Sequence, residues 1–426
     1  MRGEVVNSQD LPAGYRVLDE TTLAQALTGL APVRERLGGG AQAWRVREVS
    51  DGNMNTVFMV DGPEGAIVAK QALPYIRVIG ESWPFPLNRI VYEHAALVEE
   101  GRLCPERVPE VYAFEPEQAL LVMEALRPHI ILRKGFVAGT RYPKLAEHIG
   151  TFLAETLFWT SDLALTTPAK KALMARFAGN AELCATTEDV IFAGPYWQAP
   201  LNRWTRPHLD ALAAEMRADT ELKLAATEMK LVFRTATEAL LHGDLHTGSI
   251  MATETDTRVI DPEWTFHGPM GFDVGAVLGN LLLAYCSQPG HAGGGDGRSA
   301  YAAWILDTFC EVWERFASDF LALWRAQGEE ILPATLFARP EDADRLRARR
   351  LETIFEDSLG FAGCKMIRRI LGISHVEDLE AIQDPALRAR CEAHALRLAR
   401  ELLVNRRRYR TAHDAAAAAR DTAIAA

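Results

Sequence analysis

The segment HGDLHTGSIM (242–251) places Asp244 between two histidines, with Ser249 five positions further on. VIDPEW (259–264) follows, so that Asp261 stands seventeen positions after Asp244 and Glu263 two beyond that. Two chemistries use such groups. A zinc site needs His242 and His246 on one helix face, but Gly243, Asp244 and the turn-forming run DLHTGS disfavour a helix here, and a metalloprotease glutamate is missing. Phosphoryl transfer needs a base for the attacking hydroxyl and carboxylates that hold Mg²⁺ against phosphates. On that reading Asp244 is the base. Asp261 and Glu263 offer hard oxygens to Mg²⁺ from a loop entered through the strand RVI and stiffened by Pro262. Singly, Asp244 reads as a turn former and Asp-Pro-Glu as a helix start; the combination, behind a β-rich region, points to a kinase.

A base and a metal need elements to hold them. Residues 20–30 have helical apolar spacing after a Thr/Asp-rich start. AWRVREV, NTVFMVDG and AIVAKQAL then read as three short strands joined by Gly, Asn and Asp turns. A charged helical stretch covers about 87–101, and VPEVYAFEPEQALLVMEAL reads as two more strands. From about 127 the chain turns to long Ala/Leu-rich helical patterns. They are interrupted by AGPYWQAPLNRWTRP (193–207) and by SQPGHAGGGDGRS (287–299), read as a flexible surface loop, and they end in an Ala-rich helix that frays. No internal repeat is visible. The expectation is an α+β, bilobal chain: a small β-rich N-lobe over 1–125 that binds nucleotide, and a larger, mainly α-helical C-lobe over 126–426 that carries the catalytic and substrate groups.

The N-lobe supplies the remaining kinase parts. The turn SDGNMN can fold over phosphates, with Asn53 offering an amide. Lys70, on the third strand, can neutralise phosphate charge, and Glu93 on the following helix is its candidate partner. The backbone of Glu124, Ala125 and Leu126, at the end of LLVMEAL, is placed by order as the hinge that pairs with adenine.

Composition bounds the partners. The 426 residues carry a net charge of −11, which argues against nucleic acid as a ligand. The basic runs RLRARR (345–350) and NRRRYR (405–410) read as solvated helix faces. Six cysteines, far apart and without a CxxC pair, read as reduced thiols. The N-terminus lacks an apolar signal core, and the longest apolar stretch, GAVLGNLLLAY, is too short to span a bilayer, so a cytoplasmic protein with no membrane partner is expected.

DGNMNTVFMV, KQALPYIRVIGESWPFPLNRIVYEHAAL (70–97), HGDLHTGSIM, DPEWTFHGPMGFDVGAVLGNLL (261–282) and MIRRILG (366–372) occur in this order over most of the chain. Together they resemble the protein-kinase-like fold of the aminoglycoside phosphotransferase and choline kinase group, and more closely the 5-methylthioribose kinases of methionine salvage. The resemblance implies transfer of the ATP γ-phosphate to the anomeric hydroxyl of 5-methylthioribose, giving the 1-phosphate. It implies ATP contacts at Asn53 and Lys70, an adenine hinge at Glu124 to Leu126, sugar contact as well as catalysis at Asp244, and Mg²⁺ at Asp261 and Glu263. Arg368 and Arg369 would meet the sugar and the transferring phosphate, Trp83 would close over the site, and the chain would form a homodimer. Ser249 departs from the asparagine that protein kinases carry for a second Mg²⁺; a hydroxyl is a poorer ligand, which shifts that duty to Glu263. The rival readings are another hydroxyl kinase of the same fold, acting on an aminoglycoside, choline or another sugar, and a nucleotide-binding pseudokinase. A cationic substrate calls for an acidic pocket, which the Arg pair and the Trp/Phe/Pro loop do not offer, and a pseudokinase would lack the polar groups that are all present here.

Overall fold

Alternation of apolar side chains in the short N-terminal runs decides which way the first sheet faces. In the computed structural model, which describes residues 11–49, 54–77, 83–292, 298–327, 336–337 and 339–424, these runs form β1 (Arg45–Val49), β2 (Asn55–Asp61) and β3 (Ala66–Ala72). With β4 (Val111–Glu115) and β5 (Leu120–Glu124) they make an antiparallel sheet in the order β1-β2-β3-β5-β4. Phe58, Val60, Ile67, Ala69, Leu120 and Val122 bury against Leu23, Leu27, Val33 and Leu37 of the helices Glu20–Leu27 and Ala31–Leu37. Asp19 starts the first of these helices with a capping box closed by Thr22. Since neighbouring residues of a strand face opposite ways, Lys70 is turned from that core. Helix Arg89–Leu103 brings Glu93 to it.

The chain divides into two compact units. One runs up to Pro128 and also contains Ile260–Thr265; the other comprises His129–Val259 and the chain from Phe266. The division therefore differs from a single break at 125: the segment with Asp261 and Glu263, expected in the C-lobe, packs with the first unit.

The second unit is built on helix Met270–Ser287, almost every residue of which is buried. Residues Met270–His291 are long and apolar enough to cross a membrane, but 94% of that window is buried, which makes it a core helix. Gly271, Gly275 and Gly279 form a stripe on one face because the long helix Pro340–Leu371 lies directly against them. A Cβ at Gly275 would collide with the Ser358 carbonyl, and one at Gly279 would sit 3.0 Å from that of Ala362. Gly275→Ala is therefore expected to cost about 1–3 kcal/mol through overpacking, read as a lowered urea midpoint with an unchanged m value. This close approach fixes the height of Lys365, Arg368 and Arg369 on the second helix.

The C-terminal helix Ala412–Ile424 buries Ala412, Ala415, Ala416 and Ala419, and residues 425–426, at the end expected to fray, lie outside the described residues. Arg406 of the NRRRYR run is also buried and donates to Glu228 at 2.5 Å, so only part of that run is a solvated face. Of the Gly-rich 287–299 stretch, residues 293–297 lie outside the described residues, and Gln288–His291 form a 3-10 turn.

Candidate functional site

Within the first unit a buried charged cluster forms around Lys70. Its ammonium meets Glu93 at 2.8 Å and also pairs with Asp261. Burial alone pulls the lysine pKa down, but Asp261, Glu93 and Glu263 outweigh it and hold the ammonium charged. Glu93 feels the same burial, which lifts its carboxyl to about 8 against the pull of Lys70. With the lysine 2.8 Å away, the ion pair is the form consistent with the geometry. Asp261 adopts φ +70°, a left-handed conformation uncommon for non-glycine residues but one that aspartate tolerates better than most, and in it pairs with Lys70. Glu263 is buried and accepts from Asn55 Nδ2 at 2.7 Å, while Arg89 Nε approaches to 3.5 Å. Arg89, with none of its surface exposed, also donates to Asn55 Oδ1 and to the carbonyls of Leu73 and Pro86. One carboxylate oxygen from each of Glu93, Asp261 and Glu263 falls within 4.8 Å of the others, a set of hard donors suited to a divalent cation.

In the second unit the loop that begins at His242 follows strand Ala239–Leu241, which pairs with Phe266–Gly268. Asp273, in the first turn of Met270–Ser287, accepts the His242 and Gly243 amides at 2.7 and 3.1 Å. Gly243 reaches this arrangement at φ +86°, where a side chain would be strained. Asp244 is then presented with its two oxygens in different surroundings. Oδ2 lies 3.3 Å from His246 Nε2. His246 Nδ1 accepts the Gly248 amide at 2.9 Å, so the ring proton sits on Nε2 and is donated to Asp244. Oδ1 has Lys365 Nζ and Arg369 Nη2 each at 3.8 Å, outside hydrogen-bond reach.

Burial would raise the Asp244 pKa, but His246, Lys365 and Arg369 more than offset it and hold the carboxyl well below its ordinary value. Burial drives His246 itself down to about 4, so at neutral pH it acts as a neutral donor and the lasting positive charges are Lys365 and Arg369. The loop is clamped from behind by Arg133. Its backbone amide donates to Thr247 O, its Nε to Thr247 Oγ1 at 3.2 Å, and it pairs with the buried Asp378 at 3.1 Å.

The residues expected from sequence fall into these two groups. Lys70, Glu93, Asp261, Pro262 and Glu263 come together in the first unit, and Asp244 with Arg369 in the second. Arg368 lies half-buried on the same helix, within the field of Asp244, and its side chain hydrogen-bonds to no described residue. Glu124 ends β5, and Ala125 and Leu126 follow it directly. Asn53 lies outside the described residues, and Trp83 is exposed on the first unit. Ser249 donates to the Asp244 carbonyl at 3.1 Å, so its hydroxyl is spent on the loop itself.

Sequence reasoning missed Asn55, Arg89, Arg133, Asp273 and Lys365. Arg89 precedes Glu93 by four residues and Lys365 precedes Arg369 by four, a spacing that places each pair on one helix face and was a usable signal. From sequence His246 reads as a candidate zinc ligand and no more; in the loop it serves Asp244 instead.

Residues 45–330 match the phosphotransferase enzyme family. Methylthioribose kinase 1 of Oryza sativa subsp. japonica is 47% identical over 401 residues, 93% of this chain and 93% of the relative. Methylthioribose kinase of Escherichia coli is 45% identical over 410 residues, 95% of this chain and 97% of the relative. A solved glucosamine kinase, in complex with glucosamine, ADP and inorganic phosphate, aligns over 84% of this chain and 81% of its own, at 16% identity and a TM-score of 0.44.

Proposed function

Because the chain belongs to the phosphotransferase enzyme family, and within it to the methylthioribose kinases, we propose that it transfers the γ-phosphate of ATP to the anomeric hydroxyl of 5-methylthioribose, giving the 1-phosphate. The observation that carries the chemistry is Asp244, ionised and with Oδ1 flanked by cations but accepting no hydrogen bond from a described residue. The sugar hydroxyl donates to that oxygen, its oxygen attacks the γ-phosphorus, and the bond to the β,γ-bridging oxygen breaks as ADP leaves. The hydroxyl proton passes to Asp244 Oδ1. Arg368 and Arg369 bind the sugar hydroxyls and the phosphoryl oxygens through guanidinium N–H groups.

ATP is assigned to the first unit: Lys70 would face its phosphates and Glu124 to Leu126 would hold adenine, while Asn53 is kept as a phosphate contact on the sequence alone. The carboxylates of Asp261 and Glu263 fit Mg²⁺, since Lys70, Asn55 and Arg89 fix both. When bound, Mg²⁺ neutralises phosphate charge. The six cysteines are reduced thiols, which supports a reducing, cytoplasmic setting. Trp83 as a cover over the sugar, a role in methionine salvage and assembly as a homodimer belong to the same reading.

ADP release by the purified protein, with methylthioribose, ribose, choline and kanamycin as acceptors, tests the substrate. We expect methylthioribose to give the highest kcat/KM; preference for choline or kanamycin overturns the assignment. Arg369→Lys and Arg368→Lys keep the charge but lose the planar fork. Each is expected to lower kcat/KM for the sugar about 10- to 100-fold, the worth of one charged hydrogen-bonded contact, with KM for ATP nearly unchanged. Unaltered sugar kinetics in both variants would return the pair to a structural role.

A further inference from the structure

Lys365 is a buried cation whose ammonium, among the described residues, has no hydrogen-bond partner. Such a group costs free energy unless a nearby charge or a ligand compensates it. Its surroundings are specific. Nζ lies 3.9 Å from the centre of the Phe272 ring, a cation–π contact that fixes the side chain without using an N–H bond. The Asp244 Oδ1 atom is 3.8 Å away. The charged groups that face it are Asp244 on the loop, Asp273 on the Met270–Ser287 helix, and Arg368 and Arg369 on its own helix. The glycine stripe that brings the two helices together sets all of these positions at once.

We propose that Lys365 is a positioning residue for Asp244: its ammonium keeps the carboxylate ionised and oriented, yet leaves the Oδ1 lone pairs open for the hydroxyl proton. A lysine in direct contact with Oδ1 would compete with that proton. At 3.8 Å the attraction remains and the competition does not. The proton released in the reaction goes to Asp244, and Lys365 keeps its own throughout. The proposal rests on Asp244 being the base and is independent of which hydroxyl compound is the acceptor.

The ammonium must be charged to act, and burial pulls its pKa down to about 8 despite Asp244 and Asp273. Activity from this source is present below that value and is lost as pH rises through it. The wild type should therefore show an alkaline limb in kcat/KM near 8. Lys365→Met should lower kcat about 100-fold at pH 7, the loss typical of one preorganised electrostatic group, with KM for ATP within about twofold. Its alkaline limb should vanish, so that the two enzymes converge above the limb. Lys365→Arg should recover part of the activity and move the limb to higher pH, because arginine stays charged. A Lys365→Met kcat within about threefold of wild type, or an unmoved limb in Lys365→Arg, overturns the proposal. If Lys365→Met does not fold, the arginine variant decides alone.

A second measurement does not depend on turnover. In a ¹³Cε-lysine NMR titration the Lys365 signal should titrate near 8 in the wild type and at lower pH in Asp244→Asn, where the compensating anion is gone. An unchanged titration shows that Asp244 and Lys365 are not coupled and overturns the inference. A coupled titration together with phosphoryl transfer to a hydroxyl acceptor other than methylthioribose leaves it standing and rejects the proposed acceptor instead, whereas absence of all phosphoryl transfer overturns both.

Discussion

Asp244→Asn is expected to lower kcat about 10²- to 10⁴-fold, the usual worth of a positioned base, while KM for ATP changes little. The amide cannot take the hydroxyl proton, and it presents a weaker dipole where the carboxylate carried full charge. The fold should survive. His246 Nε2 can still donate to the amide oxygen in place of Oδ2, and Asp273 still holds the two amides at the start of the loop. Lys365, already pulled down to about 8, can release its proton and so avoid standing as an uncompensated buried charge. Steady-state kinetics with circular dichroism as a control measure this. Turnover within about threefold of wild type would remove Asp244 from the role of base.

The largest effect on stability is expected from Lys70→Met. In the wild type the lysine side chain is 8% exposed and the Glu93 side chain 1%. Methionine fills similar volume but leaves Glu93 and Glu263 buried together without the nearest cation. Breaking a buried pair by removing one partner costs about 3–5 kcal/mol, far more than a surface pair is worth. Asp261 adds less to this, since its side chain is 45% exposed and water can screen it. Two effects limit the loss: Glu93 can take up a proton, and Arg89 remains beside Glu263. Urea unfolding at pH 7 in Mg²⁺-free buffer should show the decrease, and the variant should also bind ATP poorly. A loss below about 1 kcal/mol would show that Lys70 contributes no net stability to the cluster.

Strand alternation and turn residues carried most of the first unit in the sequence. NTVFMVD and AIVAKQA can bury only one face, and that decides both the sheet and the outward turn of Lys70. The pairing of Lys70 with Glu93 followed from their order, strand then helix. The residues that fix those groups were harder to see. Arg89 and Asn55 act through one buried network with Glu263, and nothing local in NRIVYEH or DGNMN distinguishes a buried arginine or asparagine from an exposed one. At the start of β2 Asn55 makes the contact with Glu263, in a register set by pairing with β3 from Asn55 opposite Ala72 onward; Asn53 lies outside the described residues. Lys365 comes beside Asp244, and beside the Asp273 that holds the loop's first amides, because glycines let two helices touch, a tertiary effect that no short motif records. The break in the chain was similarly invisible: Ile260–Thr265 is too short to signal that it leaves one unit for the other.

Phosphorus NMR of the isolated product addresses the proposed reaction most directly. With methylthioribose, Mg²⁺ and ATP, a single new phosphomonoester signal is expected, coupled to the anomeric proton and equal in amount to the ADP formed. A phosphate coupled to any other sugar proton would contradict transfer to the anomeric hydroxyl, and ADP formed without a sugar ester would contradict methylthioribose as the acceptor.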